Sequence, residues 1–203
     1  MRAAAALLLV LGVLAATESA VTLVWQEPIT AFFAHRHQGA LEDQLASTGS
    51  ALASPATRSR SRIDPATRLR RATRSGDALG RIRIPKLDVA FVFVAGTGSK
   101  SLEKGPGHYG STALPGQGGT VGLAGHRTTY LAPFRKLDRL RRGDRIGLAM
   151  PYGRYSYTVE KSLVVSPSRL AVLRQTGQER LVLTTCTPLF SAAKRLVVVA
   201  LRA

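Results

Sequence analysis

The chain opens on an apolar block that begins at Ala3, is interrupted at Thr17, Glu18 and Ser19, and resumes to Trp25. The block approaches the ~20 apolar residues that span a bilayer. A glutamate is tolerable there only near an interface, and Trp25 suits the headgroup level. Residues 1–25 are therefore expected to form a transmembrane signal-anchor. A cleaved signal peptide, with Ala15, Ala16 and Ala20 near the cut, is the alternative. Both readings export the rest of the chain. Residues 25–45 follow the period of an amphipathic helix with Pro28 near its start. Residues 46–77 are rich in Ser, Thr, Ala and Arg, with seven arginines from Arg58 to Arg74. That composition predicts a solvated linker, so residues 26–77 read as a juxtamembrane helix and tether.

From Ala78 the pattern changes to short alternating or apolar runs. Strands are expected over 80–87, 89–94, 120–126, 144–150, 154–166, 179–186 and 195–202, with one short helix over 132–140. Glycines and prolines punctuate them at short intervals, from Gly96 to Gly143. Many short strands and little helix predict a mainly β domain, residues 78–203, built as a closed or nearly closed barrel.

Charge adds a constraint on partners. The net charge is +17, from 23 Arg, 6 Lys and 12 acidic residues. Most of it, +14, lies from Ala78 onward. Anionic partners fit such a surface: lipid headgroups, acidic wall polymers or nucleic acid. Nucleic acid is set aside, because the basic segments carry few aromatics for base stacking. One cysteine excludes an internal disulfide. The four histidines are scattered and there is no acidic cluster, so no metal site and no cofactor are expected.

Three residues stand out chemically. Cys186 ends the strand "LVLTTC", where a reactive thiol can meet solvent; a lone cysteine is also among the residue types most often buried. His126 ends the strand "TVGLAGH" and is suited to proton exchange with a thiol. His108, in a glycine-rich loop with no strand to fix it, ranks behind it. Arg195 lies nine residues past Cys186, a distance that sets it beside the cysteine on an antiparallel neighbour. A guanidinium there donates hydrogen bonds to a carbonyl oxygen or an oxyanion but cannot act as a base.

The segments "GRIRIPKL", "GPGHY", "AGHRTTYLAPF" and "LTTCTPLFSAAKRLVV" together resemble the sortase family from about Gly80 to Leu201, most closely its class E. The resemblance implies a closed barrel of about eight strands with short helices, behind an N-terminal membrane helix. It implies a cysteine transpeptidase with Cys186 as nucleophile, His126 as general acid/base and Arg195 as the oxyanion-side group. Thr185 and Thr184 are expected to help bind substrate or build the oxyanion hole, and Tyr109 to read the second position of a Leu-Ala-Xaa-Thr-Gly sorting motif. The partners implied are secreted proteins bearing that motif or its Pro-containing form, and the amine of the peptidoglycan precursor, lipid II. The location implied is single-pass at the cell membrane with the catalytic domain outside. A pilin-type polymerase with a lysine acceptor, or a non-catalytic protein binding a wall polymer, are the alternatives. Val182 stands where the family has Thr, a difference without chemical effect if that side chain faces the barrel interior. Gly119 and Thr120 replace a Gly-Asn pair. Residues 45–49, "LASTG", match the substrate pattern in an Ala/Ser-rich context, where chance is the simplest origin; a weak internal ligand of the groove is the sharper alternative.

Overall fold

The computed structural model describes residues 2–24, 28–53 and 63–203. Helix α1 (Arg2–Val24) is followed by α2 (Pro28–Ala53) and α3 (Pro65–Ala72). Eight strands follow: β1 (Ala78–Ile84), β2 (Val89–Ala95), β3 (Gly107–His108), β4 (Thr120–Ala124), β5 (Arg145–Met150), β6 (Gly153–Val165), β7 (Arg180–Thr187) and β8 (Lys194–Arg202). A one-turn helix α4 (Ser99–Leu102) and three short 3-10 turns complete the order.

The strands close into a barrel in the order β1-β2-β3-β4-β7-β8-β6-β5. Alternation along β1 shows why. Ile82 and Ile84 turn into the core while Arg81 and Arg83 stay in solvent. The interior is filled by Ile82, Ile84, Phe93, Leu123, Ile146, Leu148, Tyr157, Leu181, Leu183, Leu196 and Val198. Burying each large side chain contributes about 1.5–3 kcal/mol. Strands β7 and β8 are buried on both faces. Val182, Val197, Val199 and Val165 form a second cluster on the outside, against Val172 and Leu173 of the 3-10 turn Leu170–Leu173. Val182 therefore faces outward, beneath the β6–β7 connection, so an inward side chain, the condition under which its difference from the family's Thr has no chemical effect, is not met.

The N-terminal region departs from expectation in two ways. No helix among the described residues is long and apolar enough to cross a membrane. The unbroken apolar part of α1 covers about 21 Å of helix, short of a ~30 Å hydrocarbon core. Leu7, Leu8, Leu9, Val10, Leu11, Val13 and Leu14 are nevertheless 53–70% exposed. Trp25 and the side chain of Glu18, assigned to the membrane interface from sequence, lie outside the described residues, as does the tether from Ser54 to Arg62.

The second departure is that the expected tether is partly folded. Helix α2 runs to Ala53 and packs Leu41 and Leu45 on Ala78, Val92 and Val94. Because β3 is only two residues long, most of the β2 edge lacks a strand partner. The Gln38 side chain fills the gap: its Oε1 accepts from Val92 N–H at 2.8 Å and its Nε2 donates to Val92 C=O at 3.0 Å. Gln44 Oε1 accepts from Ala78 N–H at 2.9 Å. Helix α3 is capped by Asp64, whose carboxylate accepts from Thr67 N–H at 3.0 Å, with Pro65 in the first turn as capping favours. It buries Ala66 and Leu69 in the barrel core. The "LASTG" segment is thus helical, with Leu45 packed on the barrel wall and Thr48 bonded to Gln44 C=O. It does not occupy a groove as an extended ligand.

The helix expected over 132–140 is instead a loop ending in a 3-10 turn, Leu137–Arg139. Ala132 is held at φ 42°, which breaks α geometry. The three-residue spacing of buried Phe134, Leu137 and Leu140 suits the tighter turn.

Candidate active site

Two strand pairings assemble the site. Strand β4 runs parallel to β7, with Gly122 opposite Val182 and Ala124 opposite Thr184. Past the end of β4, Gly125 N–H donates to Thr184 C=O at 3.1 Å, and Thr185 Oγ1 donates to Gly125 C=O at 2.8 Å. This register, continued two residues past Ala124 and Thr184, sets His126 level with Cys186. On the other flank β8 is antiparallel to β7, and Cys186 and Arg195 are direct cross-strand partners. His126, Cys186 and Arg195 thus stand side by side at three adjacent strand ends. By strand alternation, Ala124, Val182, Thr184, Cys186 and Val197 share the outer face, which is covered over Val182 and Val197 and opens at Cys186.

Gly125 is required for this geometry by packing. A Cβ there would meet the Phe134 ring at 2.6 Å. Phe134 N–H donates to His126 C=O at 3.1 Å and fixes the histidine's backbone. The loop then passes through Tyr130, Leu131 and Ala132, all at positive φ (51°, 63° and 42°). Non-glycine residues there cost about 1 kcal/mol or more each. Tyr130 repays the cost by position: its ring centroid lies 5.1 Å from that of His126, tilted by 35°. Its N–H donates to Thr30 Oγ1 of α2 at 3.3 Å, so the N-terminal helix reaches the histidine loop. Burial pushes the His126 imidazole below its ordinary range, and the Glu103 carboxylate partly opposes that shift.

Cys186 is half-buried and free. Arg195 Nη1 donates to the carbonyls of Ala192 and Lys194 at 2.9 and 3.1 Å, which leaves its other guanidinium N–H groups without a described partner. Beside Cys186 lies a cavity of about 300 Å³ lined by Arg127, Thr128, Pro188, Phe190, Ser191 and Ala192.

The threonines separate. Thr184 lies on the outer face but is buried, with its hydroxyl 2.9 Å from that of Tyr109. Thr185 is buried with its hydroxyl committed to Gly125, so its direct influence is on the backbone that carries His126. Tyr109 and Leu173 pack directly over Gly122, where a Cβ would come within 2.9 and 3.0 Å of them. His108 is buried elsewhere. Its Nε2 lies 2.9 Å from Ala113 C=O, which can only accept, so Nε2 carries the proton. Burial pushes this imidazole down to about 4.

Sequence reasoning missed Arg127. It is only 7% exposed. Nη1 donates to Cys186 C=O at 3.3 Å and to Thr187 Oγ1 at 2.8 Å. Nη2 pairs with Asp138 at 3.2 Å, and Nε donates to Arg135 C=O at 3.4 Å. One guanidinium therefore ties the cysteine strand to the histidine loop. The available signal was its place directly after His126.

Comparison with known proteins identifies the family of the barrel that carries these residues. The Sortase domain family matches residues 82–203, more than half of the chain. The chain is 36% identical over 115 residues to Sortase D of Bacillus subtilis, covering 56% of this chain and 57% of the relative. It is 37% identical over 139 residues to Sortase SrtE1 of Streptomyces coelicolor, covering 61% of this chain but 40% of the relative. It thus spans little more than half, or less, of these relatives' lengths. Among solved structures, the Sortase D5 transpeptidase of Clostridium perfringens superposes with a TM-score of 0.67 at 26% identity, covering 80% of this chain and 97% of that one. Sortase E1 from Streptomyces coelicolor with a tripeptide in its active site gives 0.59 at 34% identity, covering 65% and 91%. With the family match running from β1 to the last residue, and the barrel shared with these structures, the chain belongs to the sortase family.

Proposed function

We propose that this sortase is a cysteine transpeptidase that cleaves a Leu-Ala-Xaa-Thr-Gly or Leu-Pro-Xaa-Thr-Gly sorting signal between Thr and Gly. The observation that carries the reading is the cross-strand pairing of Cys186 with Arg195, with His126 brought alongside by the parallel β4–β7 register. The Cys186 thiolate attacks the threonine carbonyl carbon. The free N–H groups of Arg195 donate to the substrate carbonyl and its oxyanion. His126 protonates the departing glycine amine, and a thioester forms. An incoming amine then attacks the thioester and gives its proton to His126, which leaves a new amide and restores the Cys186 thiolate. One amide replaces another, so the reaction requires no external energy source.

The Tyr109 and Thr184 hydroxyl pair, with Thr184 two residues before Cys186 on β7, supports a role for these residues in reading the second motif position. Thr185 acts through Gly125 on His126. The acceptor in this reading is the lipid II amine. The enzyme works outside the cell at the membrane, a location that the exposed apolar α1 supports.

The test uses the full chain with a fluorogenic Leu-Ala-Xaa-Thr-Gly peptide and an amine acceptor. The expected result is cleavage at Thr–Gly, a thioester mass on Cys186, and loss of both in Cys186→Ala. Folded protein that neither cleaves nor forms an adduct with the Ala or the Pro motif would refute the reading.

A further inference from the structure

The barrel carries a second concave surface, on the side opposite Cys186 in the strand order. It arises from the outward residues of β5. Gly147 and Ala149 have almost no bulk, and a Cβ at Gly147 would meet nothing nearer than Arg83 C=O at 3.9 Å. The strands on either side project long cations. Arg81 and Arg154 flank Ala149, while Arg83 and Ser156 flank Gly147. The result is a trough of about 660 Å³, with Arg202 and Tyr155 at one end.

The charges are unevenly satisfied. Arg81 pairs with Glu42 of α2, and Arg202 lies 3.7 Å from Glu179. The side chains of Arg83 and Arg154 make no hydrogen bond or ion pair among the described residues. We propose that this trough binds a linear phosphodiester polymer of the polyol-phosphate type through Arg81, Arg83, Arg154 and Arg202. A guanidinium fork matches phosphate oxygens bidentately. Alternate residues of β1 lie about 7 Å apart, and Arg81 and Arg154, two strands apart, about 10 Å. That lattice addresses successive charges on a chain, not a single anion. The apolar Gly147–Ala149 floor suits the methylene-rich links between phosphates. The aromatic face at the trough, Tyr155, is covered by the Arg202 guanidinium at 4.8 Å, so base stacking has no platform and nucleic acid is disfavoured. A concave floor also suits a chain better than a flat bilayer. The proposal goes beyond the transpeptidase reading and does not rest on it.

The test is fluorescence anisotropy of labelled synthetic poly(glycerol phosphate) with the full-length chain at two salt concentrations. The Arg83→Ser/Arg154→Ser double variant is compared with Lys100→Ser/Lys136→Ser, which removes the same charge from exposed positions outside the trough. Thermal melts confirm that both variants fold. The trough variant is expected to bind about tenfold or more weakly, with a salt slope shallower by about one to two units. The control is expected to change less than twofold. Equal losses in both variants would mean diffuse charge and overturn the proposal. So would absent wild-type binding, or tighter binding to oligothymidylate or anionic vesicles than to the polymer.

Discussion

The Arg127 guanidinium donates to the carbonyl oxygen of Cys186, across 59 residues of sequence. It also holds Asp138 and the Arg135 carbonyl, both from the loop that follows His126. The relative position of thiol and imidazole therefore depends on one buried side chain. Arg127→Ala is expected to lower kcat at least tenfold with a smaller change in KM, and to cost about 1–3 kcal/mol of stability. The stability loss stays in that range because the abandoned Asp138 is 54% exposed and rehydrates. Steady-state kinetics beside thermal melts check this; kcat within twofold of wild type would reject a positioning role.

Gln38 stands in for a missing strand at the β2 edge. Gln38→Leu keeps the side-chain bulk but orphans both Val92 N–H and Val92 C=O. A loss of about 2 kcal/mol or more is expected, read as a lowered denaturation midpoint with unchanged m-value. Glu42→Gln, which removes only an exposed pair with Arg81, is expected to cost less than 1 kcal/mol. Similar effects for the two variants would contradict the account.

The Glu103 carboxylate raises the affinity of His126 for its proton, against the larger effect of burial. Glu103→Gln removes the anion, so the imidazole is expected to titrate still lower than in wild type. An NMR titration of the His126 ring reads this directly. An unchanged or raised midpoint would show that the two groups are not coupled.

Buried His108 makes folding pH-dependent. Its folded-state value of about 4 lies below the ordinary 6.5. Between these values the unfolded chain binds the proton that the folded chain refuses. Stability is therefore full above about pH 6.5 and falls as the pH drops towards 4, by roughly 3 kcal/mol in all. Denaturant titrations from pH 7 to 4 should show that loss, and a shallower one in His108→Gln. Parallel curves would place the acid sensitivity elsewhere.

Much of the site was legible because strands obey short rules. Period-2 alternation located most of the barrel strands, and the nine-residue gap from Cys186 to Arg195 holds one tight connection between antiparallel neighbours. What was hidden depends on distant partners. Arg127 looks like one more surface arginine until Cys186, Thr187 and Asp138 come around it. The polar Gln38 and Gln44 read as the wet side of a helix, yet they satisfy backbone groups on β1 and β2. Val182 lies in a strand buried on both sides, where alternation no longer distinguishes inside from outside. The segment 132–140 carries helix-compatible residues, but a left-handed run from Tyr130 to Ala132 enters its first residue, and Phe134 sits against Gly125.

Barrel closure bears on how extended polypeptides are handled. An open sheet offers a ladder of unpaired N–H and C=O groups that any passing strand can join. Here the weakest seam, where β3 pairs over two residues, is stitched by the Gln38 amide. An extended polypeptide crossing this surface finds no long open edge to zip onto. Any polypeptide held by this barrel is then held through side chains rather than by strand addition, and the same closure keeps copies of the chain from pairing edge to edge.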